Sequence, residues 1–382
     1  MKKHIYLDHA ATTPLNKKVY KAMKPYLTKN YGNPSSMYTL GQINQEAITK
    51  AREQVAQALN ANPNEIYFTS SGSEANNWAI KGIAYANKHK GNHIITSCIE
   101  HHSILNTCKQ LEQEGFQVTY LPVNEKGIVE SKSLLEAITD KTILISIMRV
   151  NNEIGTVQPI ASLNSIAKTH HILFHTDAVQ AIGSFACNVK DLKIDLLSLS
   201  GHKFYGPKGV GALYIKKGTV IEPLINGGGQ ENHLRAGTEN VPAIVGLGEA
   251  IQLQSTSNNK IHILQLRNYF MKQLLLHFPQ AIINGSINHR VYSNVNVTLP
   301  NIEATTILLA LNEKGIFAST GSACNTGSLT PSHVLLAIGL TPEQAFSTIR
   351  FTLGTHNTKK DIDYTIKTLK DIYTKLTKGG YC

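Results

Sequence analysis

A two-domain α/β fold is what the sequence predicts, and three observations carry that expectation. Short apolar runs alternate with stretches of helical period over the first two thirds of the chain. At 382 residues the chain is too long for one ordinary core. Its 42% hydrophobic and 16% charged residues are too mixed for a disordered chain. The strand candidates are 66–68, 94–96, 142–147, 172–175, 196–199 and 210–215, with helix-like stretches at 75–85, 103–114 and 162–170 between several of them. Strands separated by helices pair most naturally in parallel, because a parallel neighbour needs a long crossover. Gly227, Gly228 and Gly229 mark a turn, and the polar run 255–259 interrupts a long helical passage, which puts a domain boundary there. Beyond it the pattern gives a helix at 261–278, alternating strand residues at 293–299 and a helix at 304–312. A Gly/Ser/Thr-rich loop follows at 319–328, after which Thr330 and Pro331 fit the N-cap and first position of another helix.

Lys plus Arg number 37 against 26 Asp plus Glu, a net charge of +11 that permits anionic partners without selecting one. The positive residues form no long run and no aromatic-basic module, so direct nucleic-acid binding is not expected. There is no long uncharged apolar run, and the N-terminus MKKHIYLDHAATTP passes from two lysines into a polar turn. The expectation is a soluble, cytoplasmic protein without a membrane segment. Cys98, Cys108, Cys187, Cys324 and Cys382 are scattered and include no CxxC pair. That argues against a disulfide scaffold and a structural metal cluster, and no metal is expected.

The strand candidate at 66–68 runs into Thr69-Ser70-Ser71-Gly72-Ser73-Glu74 and then a helix, where backbone N–H groups and hydroxyls make a natural phosphate site. Taken alone, the segment reads sooner as an ordinary cap through Ser71 or Ser73, since such caps are common. The segment is neither GxGxxG nor a P-loop, which disfavours a dinucleotide or a nucleoside triphosphate. Polar residues gather just beyond other strand ends: Asn152, then Asp177 and Gln180, then Ser200, His202 and Lys203. In an open α/β sheet that edge binds ligands, although each residue alone would also suit a loop or a cap. A carboxylate, a phosphate cradle and a lysine on one edge are what pyridoxal phosphate requires. The amine forms a Schiff base, an aspartate pairs with the pyridine nitrogen, and serine and histidine hold the phosphate. Lys203 stands between His202 and the pair Phe204-Tyr205, an unusual place for a solvated lysine.

Ten blocks, in order, resemble the NifS/IscS cysteine desulfurases: YLDHAATTP (6–14), YGNPSS (31–36), FTSSGSEANN (68–77), EHHSIL (100–105), VNNEIG (150–155), HTDAVQ (175–180), SLSGHKFYGPKGVG (198–211), RAGTEN (235–240), STGSACNTGS (319–328) and IRFTLG (349–354). The resemblance implies a PLP-dependent transferase of fold type I, class-V aminotransferase-like. It would have a large domain, 16–258, with a mainly parallel seven-stranded sheet flanked by helices. A smaller α+β domain, 1–15 with 259–382, would carry a long mobile cysteine loop at about 319–328. It further implies that Lys203 holds the cofactor covalently, that His101 stacks on its ring and moves protons, and that Asp177 and Gln180 face the ring nitrogen and hydroxyl. Gly72, Ser73, Ser200 and His202 hold the phosphate, with Thr238 reaching it from the neighbouring subunit of a homodimer. Arg350 clamps the substrate carboxylate, and Asn152 and Asn33 contact cofactor or substrate. Cys324 takes sulfur from L-cysteine as a persulfide, releasing L-alanine. The sulfur then passes to an acceptor protein, either an iron–sulfur scaffold or a tRNA-thiolation enzyme. A selenocysteine lyase or another class-V aminotransferase-like enzyme is the alternative, and Cys324 in its loop separates the two. Ser73 stands where threonine is common, Arg149 adds a charge near the entrance, and the short tail ending in Cys382 leaves the acceptor open. Cys382 itself reads as a frayed terminal thiol.

Overall fold

The computed structural model describes residues 4–255, 259–320 and 330–377. In chain order its first elements are β1 (Ile5–Tyr6), α1 (Lys17–Thr28), α2 (Thr39–Leu59), β2 (Ile66–Thr69), α3 (Gly72–Ala86), β3 (His93–Ser97), α4 (His102–Gln113), β4 (Gln117–Leu121), α5 (Ser131–Ala137) and β5 (Thr142–Ser146). Next come α6 (Ile160–Thr169), β6 (Leu173–Asp177), α7 (Val189–Leu192), β7 (Leu196–Ser200), β8 (Gly211–Ile215) and α8 (Val241–Ser255). The remainder is α9 (Asn259–His277), β9 (Ile282–Ile283), β10 (Asn294–Thr298), α10 (Ala304–Glu313), β11 (Ile316–Phe317), α11 (His333–Ala337), α12 (Pro342–Phe346), β12 (Thr348–Thr352) and α13 (Lys359–Thr377).

Among the described residues β2 to β8 form a seven-stranded sheet in the order β2-β8-β7-β6-β5-β3-β4. The pairs from β4 through β7 are parallel, and β8 runs antiparallel to both β2 and β7. The sheet is mainly parallel, as expected, and β8 is its antiparallel member. Only residues 201–210 join it to β7, too few for a crossover, so the chain returns antiparallel. Strands β3, β5 and β7 are buried along their whole length, as strands covered on both faces must be. The period of two sends Ile94 and Leu196 to one face, with Trp78, Ile83 and Ile104 of α3 and α4. It sends Ile95 and Leu197 to the other, with Val55, Leu163 and Leu247 of α2, α6 and α8.

A separate apolar cluster joins the two ends of the chain. Ile5 and Leu7 pack with Phe270, Val295, Val297, Ile307, Phe351 and Leu369, which come from α9, β10, α10, β12 and α13. Here β9, β10 and β12 form an antiparallel sheet, and β1 pairs in parallel with β11. Helix α11 starts later than the Thr330-Pro331 reading expects. Ser332 is its N-cap, its side chain accepting from the Leu335 N–H, because that hydroxyl reaches a free first-turn amide. No helix among the described residues is long and apolar enough to cross a membrane.

Candidate functional site

The carboxyl ends of β3, β5, β6 and β7 open on a cavity of about 360 Å³. Lys203 ends the 3-10 turn Gly201–Lys203 that follows β7. Its Nζ donates to the carbonyl oxygens of Ala10 (2.7 Å) and Ala11 (2.9 Å), in the segment that leads away from β1. Gln180 Nε2 donates to the same Ala10 oxygen at 2.9 Å. Asp177, the last residue of β6, is buried; its Oδ1 accepts from the Val179 N–H (2.9 Å) and its Oδ2 from Asn76 Nδ2 (2.7 Å).

A polar relay links that carboxylate to His101. Asn76 Nδ2 also donates to Ser103 Oγ at 2.9 Å, and this hydroxyl lies 2.8 Å from His101 Nδ1. The Ser103 N–H donates to the same nitrogen at 3.1 Å, which makes His101 the N-cap of α4. Because Nδ1 accepts a backbone N–H, the neutral ring carries its proton on Nε2. Burial is the main force holding the His101 pKa below the usual imidazole value. Asp177 pulls it upward, and Lys203, His102 and His333 push it down.

The wall formed by α3 and β7 is unusually close. A Cβ on Gly72 would come within 2.7 Å of Val179 Cγ2 and 3.2 Å of Ser200 Cβ, so glycine lets the start of α3 approach the end of β7. Ser71 caps α3 by accepting from the Glu74 N–H at 3.1 Å, so the capping reading of this segment holds beside the cavity. His202 Nδ1 lies 3.1 Å from Thr12 Oγ1. Burial first, then Lys203 and Lys208, push the His202 pKa down to about 4, so the ring is neutral at pH 7. Thr13 fastens the turn by donating from Oγ1 to the His202 carbonyl (2.9 Å) and accepting from the Tyr205 N–H (2.7 Å).

On the opposite wall Arg350, buried in β12, donates from Nη2 to Asp8 Oδ1 (2.8 Å) and from Nη1 to the Asn152 carbonyl (3.0 Å). Asp8, Glu100 and Glu153 were not singled out from the sequence, although each lies in or beside a quoted block. Their signal is an acid directly after an apolar run, or next to a chosen His or Asn. Glu100 is fully buried and accepts from Ser97 Oγ (2.6 Å) and from the Met148 N–H (2.9 and 3.1 Å).

Burial pushes the Glu100 pKa up to about 8, with Asp177 adding to the rise and the Ser97 and Met148 hydrogen bonds opposing it. A carboxyl raised in the folded state contributes stability that is complete below its unfolded pKa and is lost as pH rises through about 8. Replacing Glu100 by Gln is therefore expected to remove that loss. Urea unfolding should show the variant gaining on the wild type by on the order of a few kcal/mol between pH 5 and pH 9. Parallel stability curves would contradict the assignment.

The cavity lining thus brings together Gly72, Ser73, His101, Asn152, Asp177, Gln180, Ser200, His202, Lys203 and Arg350. It does not include Asn33, which is exposed and accepts from the Ser35 N–H at 2.9 Å, or Thr238, which is exposed on a loop. Cys324 and Cys382 lie outside the described residues. Burial pushes the Cys108 thiol up to about 12 and the Cys187 thiol to about 11, and it raises half-buried Cys98 as well. None of these three is a ready thiolate.

The family model for class-V aminotransferases matches residues 5–365. The cysteine desulfurase IscS of Methanosarcina thermophila is 55% identical over 376 residues, covering 98% of this chain and 93% of its own. A solved NifS-like protein superposes with a TM-score of 0.92 at 38% identity, covering 97% of this chain and 100% of its own. A structure of SspA in complex with cysteine gives a TM-score of 0.83 at 42% identity, with 93% and 100% coverage. A full-length match to the family model, with a relative this similar, has one meaning: the chain belongs to the class-V aminotransferase family and, within it, to the cysteine desulfurases.

Proposed function

We propose that the protein converts L-cysteine to L-alanine with pyridoxal phosphate, that Lys203 anchors the cofactor, and that Cys324 receives the sulfur. The observation that carries this reading is the convergence of Lys203, Asp177, His101 and Arg350 on one cavity whose far wall is the Gly72/Ser200 approach. The donor set fits the cofactor: a lysine amine, a buried carboxylate and a helix start with hydroxyls beside it. Asp177 would pair with the ring nitrogen, Gln180 with the ring hydroxyl, and Gly72, Ser73, Ser200 and His202 with the phosphate. The partner subunit's Thr238 would complete that cradle in a homodimer. Exposed Tyr20, Leu27, Tyr31, Met37 and Tyr38, on or near α1 and α2, give a second copy an apolar surface to cover.

When bound, pyridoxal phosphate supplies an electron sink that acidifies the Cα proton of the amino acid joined to it. The chain's own residues do the rest. Arg350 holds the substrate carboxylate through its planar guanidinium, already oriented by Asp8 and by the Asn152 carbonyl. Asp177 presents its carboxyl group at the buried end of the cavity, fixed in place by Asn76 and the Val179 amide. His101 presents Nε2–H as a proton donor, and the Lys203 amine would accept and return a proton. Cys324 attacks the γ-sulfur as thiolate. One S–S bond forms as the substrate C–S bond breaks, the electron pair stays on carbon, and protonation there gives alanine.

Chain connectivity supports the role of Cys324. Ser319 pairs with Arg350 through two backbone hydrogen bonds, Ser319 N to Arg350 O at 3.2 Å and Arg350 N to Ser319 O at 2.7 Å. Cys324 follows Ser319 by five residues. At no more than about 3.5 Å per residue its Cα stays within roughly 18 Å of a strand that lines the cavity.

Two outcomes follow. Arg350→Lys keeps the charge but loses the fork, so KM for L-cysteine should rise on the order of tenfold with a smaller change in kcat. Steady-state alanine release checks it, and an unchanged KM would count against the carboxylate clamp. Alanine should also form from L-cysteine with no keto acid added; a requirement for one would favour the aminotransferase alternative. The remaining parts of the reading are a cytoplasmic enzyme with domains 16–258 and 1–15 plus 259–382. Its sulfur passes to an iron–sulfur scaffold or a tRNA-thiolation enzyme, and the +11 charge suits an acidic acceptor.

A further inference from the structure

We propose that Arg235 is a positioning residue for the cofactor phosphate and acts through Glu74: by pairing with that carboxylate it keeps the start of α3 attractive to an anion. The proposal rests on the reading of Gly72, Ser73, Ser200 and His202 as the phosphate cradle. Glu74 directly follows Ser73, in the first turn of α3. Its Oε2 accepts from the Ser70 N–H at 2.9 Å and from Ser70 Oγ, so the carboxylate is held at the helix start. Arg235 meets it as a fork, donating from Nε to Oε1 at 2.8 Å and from Nη2 to Oε2 at 3.2 Å. The two side chains are only 18% and 11% exposed, so water and salt screen the pair less than one on the surface. The backbone that delivers Arg235 is itself tied down. The Ala236 N–H donates to the Ile225 carbonyl at 3.2 Å, and the Gly237 N–H to Gln230 Oε1 at 3.1 Å.

Without that pairing the charges at the helix start would oppose a phosphate. A helix presents about half a positive charge at its N-terminus, the field that an anion bound there uses. An ionised Glu74 brings a full negative charge to the same turn and would more than cancel it. Glu74 is ionised at pH 7. Burial acts to raise its pKa, but the hydrogen bonds from Arg235 and Ser70, with the Arg235 charge, outweigh burial and leave it below the usual carboxylate value. The cradle residues cannot make up the difference: Gly72, Ser73 and Ser200 carry no charge, and the His202 ring is neutral at pH 7. Arg235 does not line the cavity, so its effect on a phosphate there passes through Glu74.

The test is an absorbance titration of the full chain, freed of cofactor, with pyridoxal phosphate and separately with pyridoxal, which has the ring and aldehyde but no phosphate. Arg235→Gln leaves Glu74 charged and unpaired. Pyridoxal phosphate should then bind on the order of tenfold more weakly, while pyridoxal stays within about twofold of its wild-type affinity. Glu74→Gln removes the charge itself and should bind pyridoxal phosphate at least as tightly as wild type does. The double variant Glu74→Gln/Arg235→Gln should return to within about threefold of wild type, because the two changes are coupled through one pair. A double variant as weak as Arg235→Gln overturns the proposal, since Arg235 would then serve the loop or the phosphate directly. Equal losses for pyridoxal and pyridoxal phosphate in Arg235→Gln overturn it as well, as does an unchanged affinity for pyridoxal phosphate. A wild type that binds the two compounds equally well removes the phosphate-cradle reading and this proposal with it.

Discussion

Cys324→Ser is expected to cut alanine formation from L-cysteine by at least about 10³-fold while leaving the cofactor spectrum and its response to L-cysteine intact. The thiolate is the nucleophile, and a serine hydroxyl is almost never ionised near neutral pH. No other thiol among the described residues can stand in. Cys108 and Cys187 are buried with thiols pushed well above the usual range, and Cys98 is half-buried and shifted the same way. In the proposed scheme binding and proton removal belong to residues on the cavity wall, so they should survive the change. Undiminished alanine release in the variant would remove the nucleophile assignment and leave Lys203, Asp177 and Arg350 as the site of some other reaction.

Lys203→Ala should have the other large effect. On its proposed role, losing the amine removes the covalent anchor and the group that returns a proton, so turnover is expected to fall on the order of 10³-fold or more. The visible band of the lysine-bound cofactor should vanish and return in part when a small external amine is supplied. A second consequence is structural. Lys203 Nζ ties down the Ala10 and Ala11 carbonyls, and Gln180 shares the first of them. Compared without cofactor, where the wild-type amine is free to make these bonds, the variant should therefore expose residues 8–14 to faster amide exchange, measured by mass spectrometry. Unchanged turnover in Lys203→Ala would contradict the account outright.

Much of the large sheet was legible because its inner strands are near-continuous apolar runs that end in polar residues. Leu196–Ser200 stops at Ser200, and His202 and Lys203 follow at once, which is why the ligand edge could be read from local pattern. Strand β4 escaped notice because Gln117 is exposed and Val118, Thr119 and Tyr120 are only partly buried, so no apolar run announces it. The direction of β8 escaped because apolar periodicity carries no sense of direction; only the short 201–210 connection does.

The site divides the same way. Lys203, Asp177 and Gly72 sit at strand ends or a helix start, where local sequence signals function. Asp8 meets Arg350 across almost the whole length of the chain, and no local pattern encodes such a pair. Glu100 and Glu153 look like solvated loop acids in sequence, and only the fold shows that both are buried and hydrogen-bonded. The small apolar cluster that joins Ile5 and Leu7 to β10 and β12 is likewise a property of tertiary packing.

The most direct measurement is the mass of the peptide that carries Cys324 after the holoenzyme meets one equivalent of L-cysteine, with alanine counted in the same sample. The account predicts one added sulfur atom on Cys324, removable by a thiol reductant, and one alanine released for each sulfur bound. Alanine released with Cys324 unmodified and the sulfur found elsewhere would contradict it.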